Sequence, residues 1–229
     1  MKKLLSIVMI MGLFLILAAC GDDDEKTNEE EKAAKEITLE EDEKVDDDKV
    51  VIRINDTEVK GAQYNTVYLQ TKMRVYQFGQ DIEDKENIKE ITLNEITAQE
   101  LIKQEAARQG IDVTEEEVQN EFDTLKSENE DSFTAYLEQY KLTEESLKEQ
   151  IRFTFTLDKY MQEKVQVDEV TEDDIKEAYD QLKKENEEMM EYEEAKSIIK
   201  EQLVQQREAE ALQVKVEELM EAAEIEKLI

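Results

Sequence analysis

The 229-residue sequence predicts a mainly α protein with a small β-sheet, and three observations carry that reading. Proline is absent, there are only 5 glycines, and 39% of residues are charged, a composition that favours long helices. From Ala62 onward, apolar residues recur at helical spacing over long stretches. Two short runs rich in β-branched residues stand at opposite ends of residues 50–229.

The elements follow in order. Val50–Asn55 reads VVIRIN, a strand; Asn55-Asp56 is turn chemistry, and Thr57-Glu58-Val59 returns as a second strand. A helix is expected from Ala62 to Phe78 with Gly79 ending it, and another from Lys85 to Gln109 closed by Gly110. Val113-Thr114-Glu115-Glu116-Glu117-Val118, Leu142-Thr143-Glu144-Glu145-Ser146-Leu147 and Val170-Thr171-Glu172-Asp173-Asp174-Ile175 then share one pattern. Threonine caps free backbone N–H groups, acids occupy the first turn, and two apolar residues flank the start as a hydrophobic staple. Thr114 with Glu117 also fits a capping box. These starts give helices at 115–127, 144–163 and 172–188, with a shorter one at 132–139. The last helix spans 192–223, with Ala195, Ile198, Ile199, Leu203, Ala209, Leu212, Val216 and Leu219 as its apolar stripe. Residues 225–229 form a strand that pairs with Val50–Asn55, since a lone strand is not stable.

The N-terminus has a different character. Lys2 and Lys3 precede an apolar stretch from Leu4 to Leu17, and Leu17-Ala18-Ala19-Cys20 holds the only cysteine. The layout is that of a signal peptide, and about 14 apolar residues fall short of the roughly 20 a spanning helix needs. The four residues resemble the lipobox of bacterial lipoproteins, which implies cleavage before Cys20 and lipid, palmitate-type chains included, on that residue. Two acyl chains anchor stably where one is marginal. Gly21 to Lys49 is dominated by Asp and Glu, with runs at 22–24, 29–31 and 46–48. With few apolar residues it is expected to be a disordered, self-repelling tether reaching roughly 30 Å. The acidic triplets lack the alternating spacing and turn glycine of a calcium loop. The domains expected are therefore 1–19, signal peptide; 20–49, lipidated cysteine and tether; and 50–229, the folded module.

Composition excludes several functions. A net charge of −32 repels nucleic acid phosphates and anionic headgroups, so no nucleic acid partner is expected. Histidine is absent and the single cysteine is assigned to lipid, which removes the usual nucleophilic and metal-binding groups. No Gly-rich phosphate loop is present. No catalytic residue, metal or cofactor is expected.

Taken in order, several segments resemble the chaperone module of PrsA and SurA foldases. They are Val50–Asn55 with its turn and helix, Ile88–Ile96 leading into Leu101–Ala106, Gly110–Val118, Leu142–Glu145 with Leu147–Arg152, Val170–Tyr179, and Tyr192–Leu203. The resemblance implies binding of unfolded or partly folded exported proteins. Those foldases usually carry a parvulin-type prolyl isomerase between the segments matching Val170–Tyr179 and Tyr192–Leu203. Here only Asp180 to Glu191 joins them, too few for a domain of about 50 residues, and the histidine pair of the parvulin site is missing.

The expected function is that of a lipid-anchored holdase on the extracytoplasmic face of the cell membrane. Gly21 and the lack of disulfides favour a Gram-positive envelope. A scaffold or adaptor for one envelope partner is the alternative, and a residual prolyl isomerase the third. Monomer and homodimer both stay open. Methionine and aromatic side chains suit adaptable contacts with varied clients. The candidate client-binding residues are Met189, Met190, Tyr192, Tyr64, Tyr68, Tyr76 and Phe78, while aromatic residues at helical spacing are equally read as core. Met189-Met190, set among glutamates, is the pair expected to be most exposed.

Overall fold

The computed structural model describes residues 37–129, 132–186 and 190–229. Cys20 and the expected signal peptide lie outside the described residues, as does the first part of the expected tether. The described chain is mainly helical with a small antiparallel sheet, as the sequence predicts. The elements are β1 (Val50–Ile54), β2 (Thr57–Lys60), α1 (Gly61–Gln77), α2 (Lys85–Arg108), α3 (Glu115–Glu128), α4 (Phe133–Gln139), α5 (Glu144–Lys164), α6 (Glu172–Glu185), α7 (Tyr192–Ala222) and β3 (Ile225–Lys227). The sheet order is β2-β1-β3.

Asn55 enters the tight β1–β2 turn at φ 54°, a left-handed conformation that asparagine tolerates. β1 pairs with β3: the Asn55 N–H donates to the Glu224 carbonyl at 2.8 Å and the Leu228 N–H to the Val51 carbonyl at 2.9 Å. The expected pairing of the two chain-end strands is present, with β3 ending at Lys227.

Two compact units emerge. Among the described residues, one comprises the segment up to Arg53, Thr57–Ile96 and Lys227–Ile229; the other comprises Ile54–Asp56 and Thr97–Glu226. In the first, Val51, Ile52, Val59, Tyr64, Tyr68, Ile88, Leu93 and Ile96 are buried. The Arg74 guanidinium on α1 pairs with the Glu95 carboxylate on α2.

The expectation of disorder up to Lys49 fails from Ile37 onward. Residues 37–49 form an N-terminal strap docked on α1. The Asn65 side chain grips Val45 twice, accepting from its N–H at 3.0 Å and donating to its carbonyl at 2.7 Å. Carbonyls of Lys49 and Asp47 accept from the N–H groups of Gly61 and Ala62, at 2.8 and 3.1 Å. The strap thus satisfies orphan donors of a helix that has no side-chain cap. Its passage is so close that a Cβ on Gly61 would lie 2.0 Å from the Asp46 carbonyl oxygen. A glycine is required there for space alone.

In the other unit, all three threonine-marked starts form reciprocal capping boxes: Thr114 with Glu117, Thr143 with Ser146, and Thr171 with Asp174. The staples seat their apolar partners in two cores. Val113, Val118, Phe122, Phe133, Leu147 and Ile151 form one across α3, α4 and α5, with Phe122 and Phe133 edge to face at 5.6 Å. Ile175, Tyr179, Ala195 and Ile199 form the other between α6 and α7. α6 stops at Glu185 rather than 188 because Asn186 turns to extended backbone. The predicted apolar stripe of α7 is partly overturned. Ala195, Ile199, Leu212 and Val216 are buried, but Ile198 and Ala209 are exposed. No residue between 200 and 211 is fully buried, and Leu203 packs only partly buried against the α6–α7 core.

Candidate functional site: exposed apolar residues on two helical ends

The seven residues singled out in the sequence have three different fates. Tyr64 and Tyr68 are each 2% exposed and belong to the core of the strap unit, so they are not surface that a client reaches. Their rings pack 5.6 Å apart. The sequence reading missed the strap that covers them. Glu43 drops its carboxylate beside α1, where Lys72 Nζ sits 2.7 Å from both of its oxygens. The Tyr68 hydroxyl donates to Glu43 Oε1 at 3.3 Å, and Lys72 also donates to the Thr38 carbonyl at 3.2 Å. Burial, then the charges of Glu86 and Glu43, push the Tyr64 phenol up to about 12. A polar cleft of about 290 Å³ adjoins these residues, with Asp42, Lys85 and Lys89 among its lining. Lys85 is spanned by Glu40 and Asp42, whose hydrogen bonds hold its pKa above the ordinary lysine value. The site is internally neutralised and built for attachment of the strap.

Tyr76 and Phe78 meet solvent, 43% and 56% exposed. They flank the end of α1, which closes in a Schellman turn. The Gln80 N–H donates to the Val75 carbonyl and the Gly79 N–H to that of Tyr76, with Gly79 at φ 66°. The chain reversal forces Phe78, the C-cap residue, away from the stripe that α1 buries.

Met190, Tyr192 and α6 form the second exposed end. Met189 lies outside the described residues. Met190 is 47% exposed, yet its backbone is fixed, because the Tyr179 hydroxyl donates to its carbonyl at 3.1 Å. Tyr192 is half-buried with its ring edge to face on Tyr179 at 5.2 Å. Burial and the carboxylates of Glu172 and Glu193 raise the Tyr192 phenol. Lys183 Nζ donates to the Tyr179 hydroxyl at 2.9 Å and lies 3.6 Å from Glu191. The hairpin tip therefore presents a methionine side chain from a rigid base.

Two members of this surface were not anticipated. Leu182 is 38% exposed and Ile198 47%. Leu182 stands one turn beyond Tyr179 in the last turn of α6, outside the α6–α7 core. Its spacing from Ile175 and Tyr179 was the available signal. Ile198 sits beside Ile199 in sequence but on the flank of α7.

Nothing here has the convergent acid–base geometry of an active site. The arrangement offers apolar contact on held backbones with carboxylates around it. Among the described residues, no helix is long and apolar enough to cross a membrane. A comparison with curated proteins gives no match. A comparison with protein families matches residues 4–161 to the SurA-like N-terminal domain. The α6–α7 hairpin lies beyond the matched span. With more than half of its length matched in this way, the chain belongs to the family of SurA-like N-terminal domains, and its role is chaperone-like in general terms.

Proposed function

We propose that this protein is a lipid-anchored, extracytoplasmic holdase that binds unfolded exported chains without catalysis. The observation that carries the reading is Met190, an apolar side chain left open on a backbone that Tyr179 holds in place, with Leu182 also exposed on α6. Contiguous apolar surface rimmed by polar residues marks an interaction site. Methionine is adaptable enough to meet clients of varied shape. The high negative charge keeps such a surface soluble. The lipobox-like Leu17-Ala18-Ala19-Cys20 supports the anchor, and the lack of histidine supports a non-catalytic role.

The deciding experiment is light scattering of several unrelated unfolded clients with increasing amounts of the protein. Aggregation of all of them should fall with concentration; protection of none, or of a single client, would overturn the holdase reading. A Leu182→Ser/Met190→Ser variant should lose much of that suppression while its stability stays within about 0.5 kcal/mol. In a proline peptide, the protein should leave the cis/trans exchange rate unchanged. Mass spectrometry of the mature N-terminus should show an acylated Cys20; a free thiol there would remove the anchor.

A further inference from the structure

Resting on the holdase reading, we propose that the α1 face beneath residues 37–49 is a second client site. The strap closes it as an internal stand-in for a client. Its outside ligand is an extended segment with a glutamate two residues ahead of a β-branched apolar residue.

The strap is held as a bound peptide is held. Asn65 accepts from the Val45 N–H at 3.0 Å and donates to the Val45 carbonyl at 2.7 Å. Both contacts go to main chain, so they grip an extended segment without reading its sequence. Selection comes from side chains. Lys72 is 5% exposed, and Glu43 is the only acid within ion-pair distance of it among the described residues. Its Nζ lies 2.7 Å from both Glu43 oxygens, and the Tyr68 hydroxyl donates to one of them. A cation buried this deeply needs a carboxylate, and any chain lying in the seat can supply one. Two residues on, Val45 passes the start of α1, where a Cβ on Gly61 would stand 3.3 Å from its Cγ1. The glycine makes room for an apolar side chain at that register.

The strap lies in this seat without filling it. Glu43 is its only buried residue, and it forms neither helix nor strand. A cleft of about 290 Å³ is left beside α1, lined by Glu43, Lys44 and Val45 together with Tyr64 and Tyr68. A segment that buries so little opens at a lower cost than the fold as a whole. Residues 64, 68 and 72 follow one another at helical spacing, so opening bares two tyrosines and an ammonium on one face of α1, with the Asn65 amide alongside. Tyrosine rings give an extended chain apolar contact with a polar edge. While the strap is down it competes for this face, and an outside segment binds more weakly by the fraction of time the seat is open.

The test uses the full chain and a labelled peptide of the strap sequence, residues 37–49, followed by fluorescence anisotropy. Glu43→Lys sets two like charges against each other and lifts the strap, while Tyr64, Asn65, Tyr68 and Lys72 stay as they are. This variant should bind the peptide about tenfold tighter than the parent does. A peptide carrying Glu43→Gln should bind it more weakly, and adding Asn65→Ala to the variant should weaken the intact peptide. Absence of binding by the folded variant, or indifference to either change, overturns the site. Equal affinities in parent and variant overturn the closing role of the strap. Circular dichroism and thermal melting show whether each protein is folded, and Glu43→Gln takes the place of Glu43→Lys, with the same expectations, should the latter melt. In the parent, saturating peptide should quicken amide exchange at Val45; unchanged exchange overturns displacement. Glu43→Lys should also suppress client aggregation more strongly than the parent. Peptide binding without that gain removes clients from this site and leaves the holdase reading standing, whereas absence of suppression by either protein removes the holdase reading itself.

Discussion

The strap and the hairpin tip are both acidic, and the chain treats them in opposite ways. Residues 40–48 carry seven acids and one base, and 185–194 carry six acids and none. The strap nevertheless folds down on α1, with Glu43 only 6% exposed, while the tip keeps its described glutamates in solvent. What differs is the partner. Lys72 and Lys85 pair with three of the strap carboxylates, and Asn65 supplies both a donor and an acceptor to its backbone. At the tip, Lys183 donates to Tyr179 and lies near Glu191, and it draws no glutamate into the core. An acidic run is therefore a folded element or a surface according to the cations opposite it, and those lie far away in sequence.

The comparison breaks most sharply at Lys72. A Lys72→Ala change leaves Glu43 buried without its cation and is expected to cost about 3–5 kcal/mol, read by denaturant titration. Glu43→Leu/Lys72→Met should recover most of that loss, because an apolar pair needs no compensation there. A single variant as stable as the parent would mean that the strap is not held by this pair. Gly61→Ala comes next. The new methyl group collides with the Asp46 carbonyl, and overpacking of this kind costs about 1–3 kcal/mol. Amide exchange should quicken over residues 45–49 and stay unchanged over α6 and α7; uniform quickening would contradict the localised role of the strap.

Smaller effects sharpen the other side. Thr171→Ala removes the hydroxyl that accepts from the Asp174 N–H at 3.2 Å and should cost about 1 kcal/mol. The loss should appear as faster exchange in α6, since only four buried residues hold that hairpin core. Glu117 is an intermediate case, a half-buried acid with assigned partners. A hydrogen bond from Lys159, then those from Thr114, lower its pKa from 4.5 to about 2. A group depressed in this way contributes stability above its unfolded pKa and loses it as pH falls through the folded one. Glu117→Gln should therefore be less stable than the parent at neutral pH. The gap should close between about pH 4.5 and pH 2, as measured by thermal melts across that range. A gap of constant size would show that the carboxylate charge is not what the cap uses.

Local chemistry made much of the fold legible. The threonine starts needed only hydroxyls, first-turn acids and flanking apolar residues, all within six positions, and each became a reciprocal cap. Gly79 and Gly110 ended α1 and α2 for equally local reasons, both with positive φ. Of the candidate residues, Met190 was expected to be exposed and is; of the aromatics, which were equally read as core, Tyr76 and Phe78 are exposed while Tyr64 and Tyr68 are core. Helical spacing shows which side of α1 is apolar, but not that residues 37–49 return to cover it. Leu182 was missed for the converse reason, because it has the spacing of a core residue but stands in the last turn of α6, outside the α6–α7 core.

The sequence by itself determined the helical class, the helix starts and the sign of the net charge, because each depends on neighbouring residues or on simple sums over the chain. Tertiary structure alone decided which acids are buried and which apolar residues stay open. The physical reason is that desolvation depends on what arrives from elsewhere in the chain. Glu43 is buried because Lys72, 29 residues away, meets it, and Met190 is open although the Tyr179 hydroxyl holds its carbonyl.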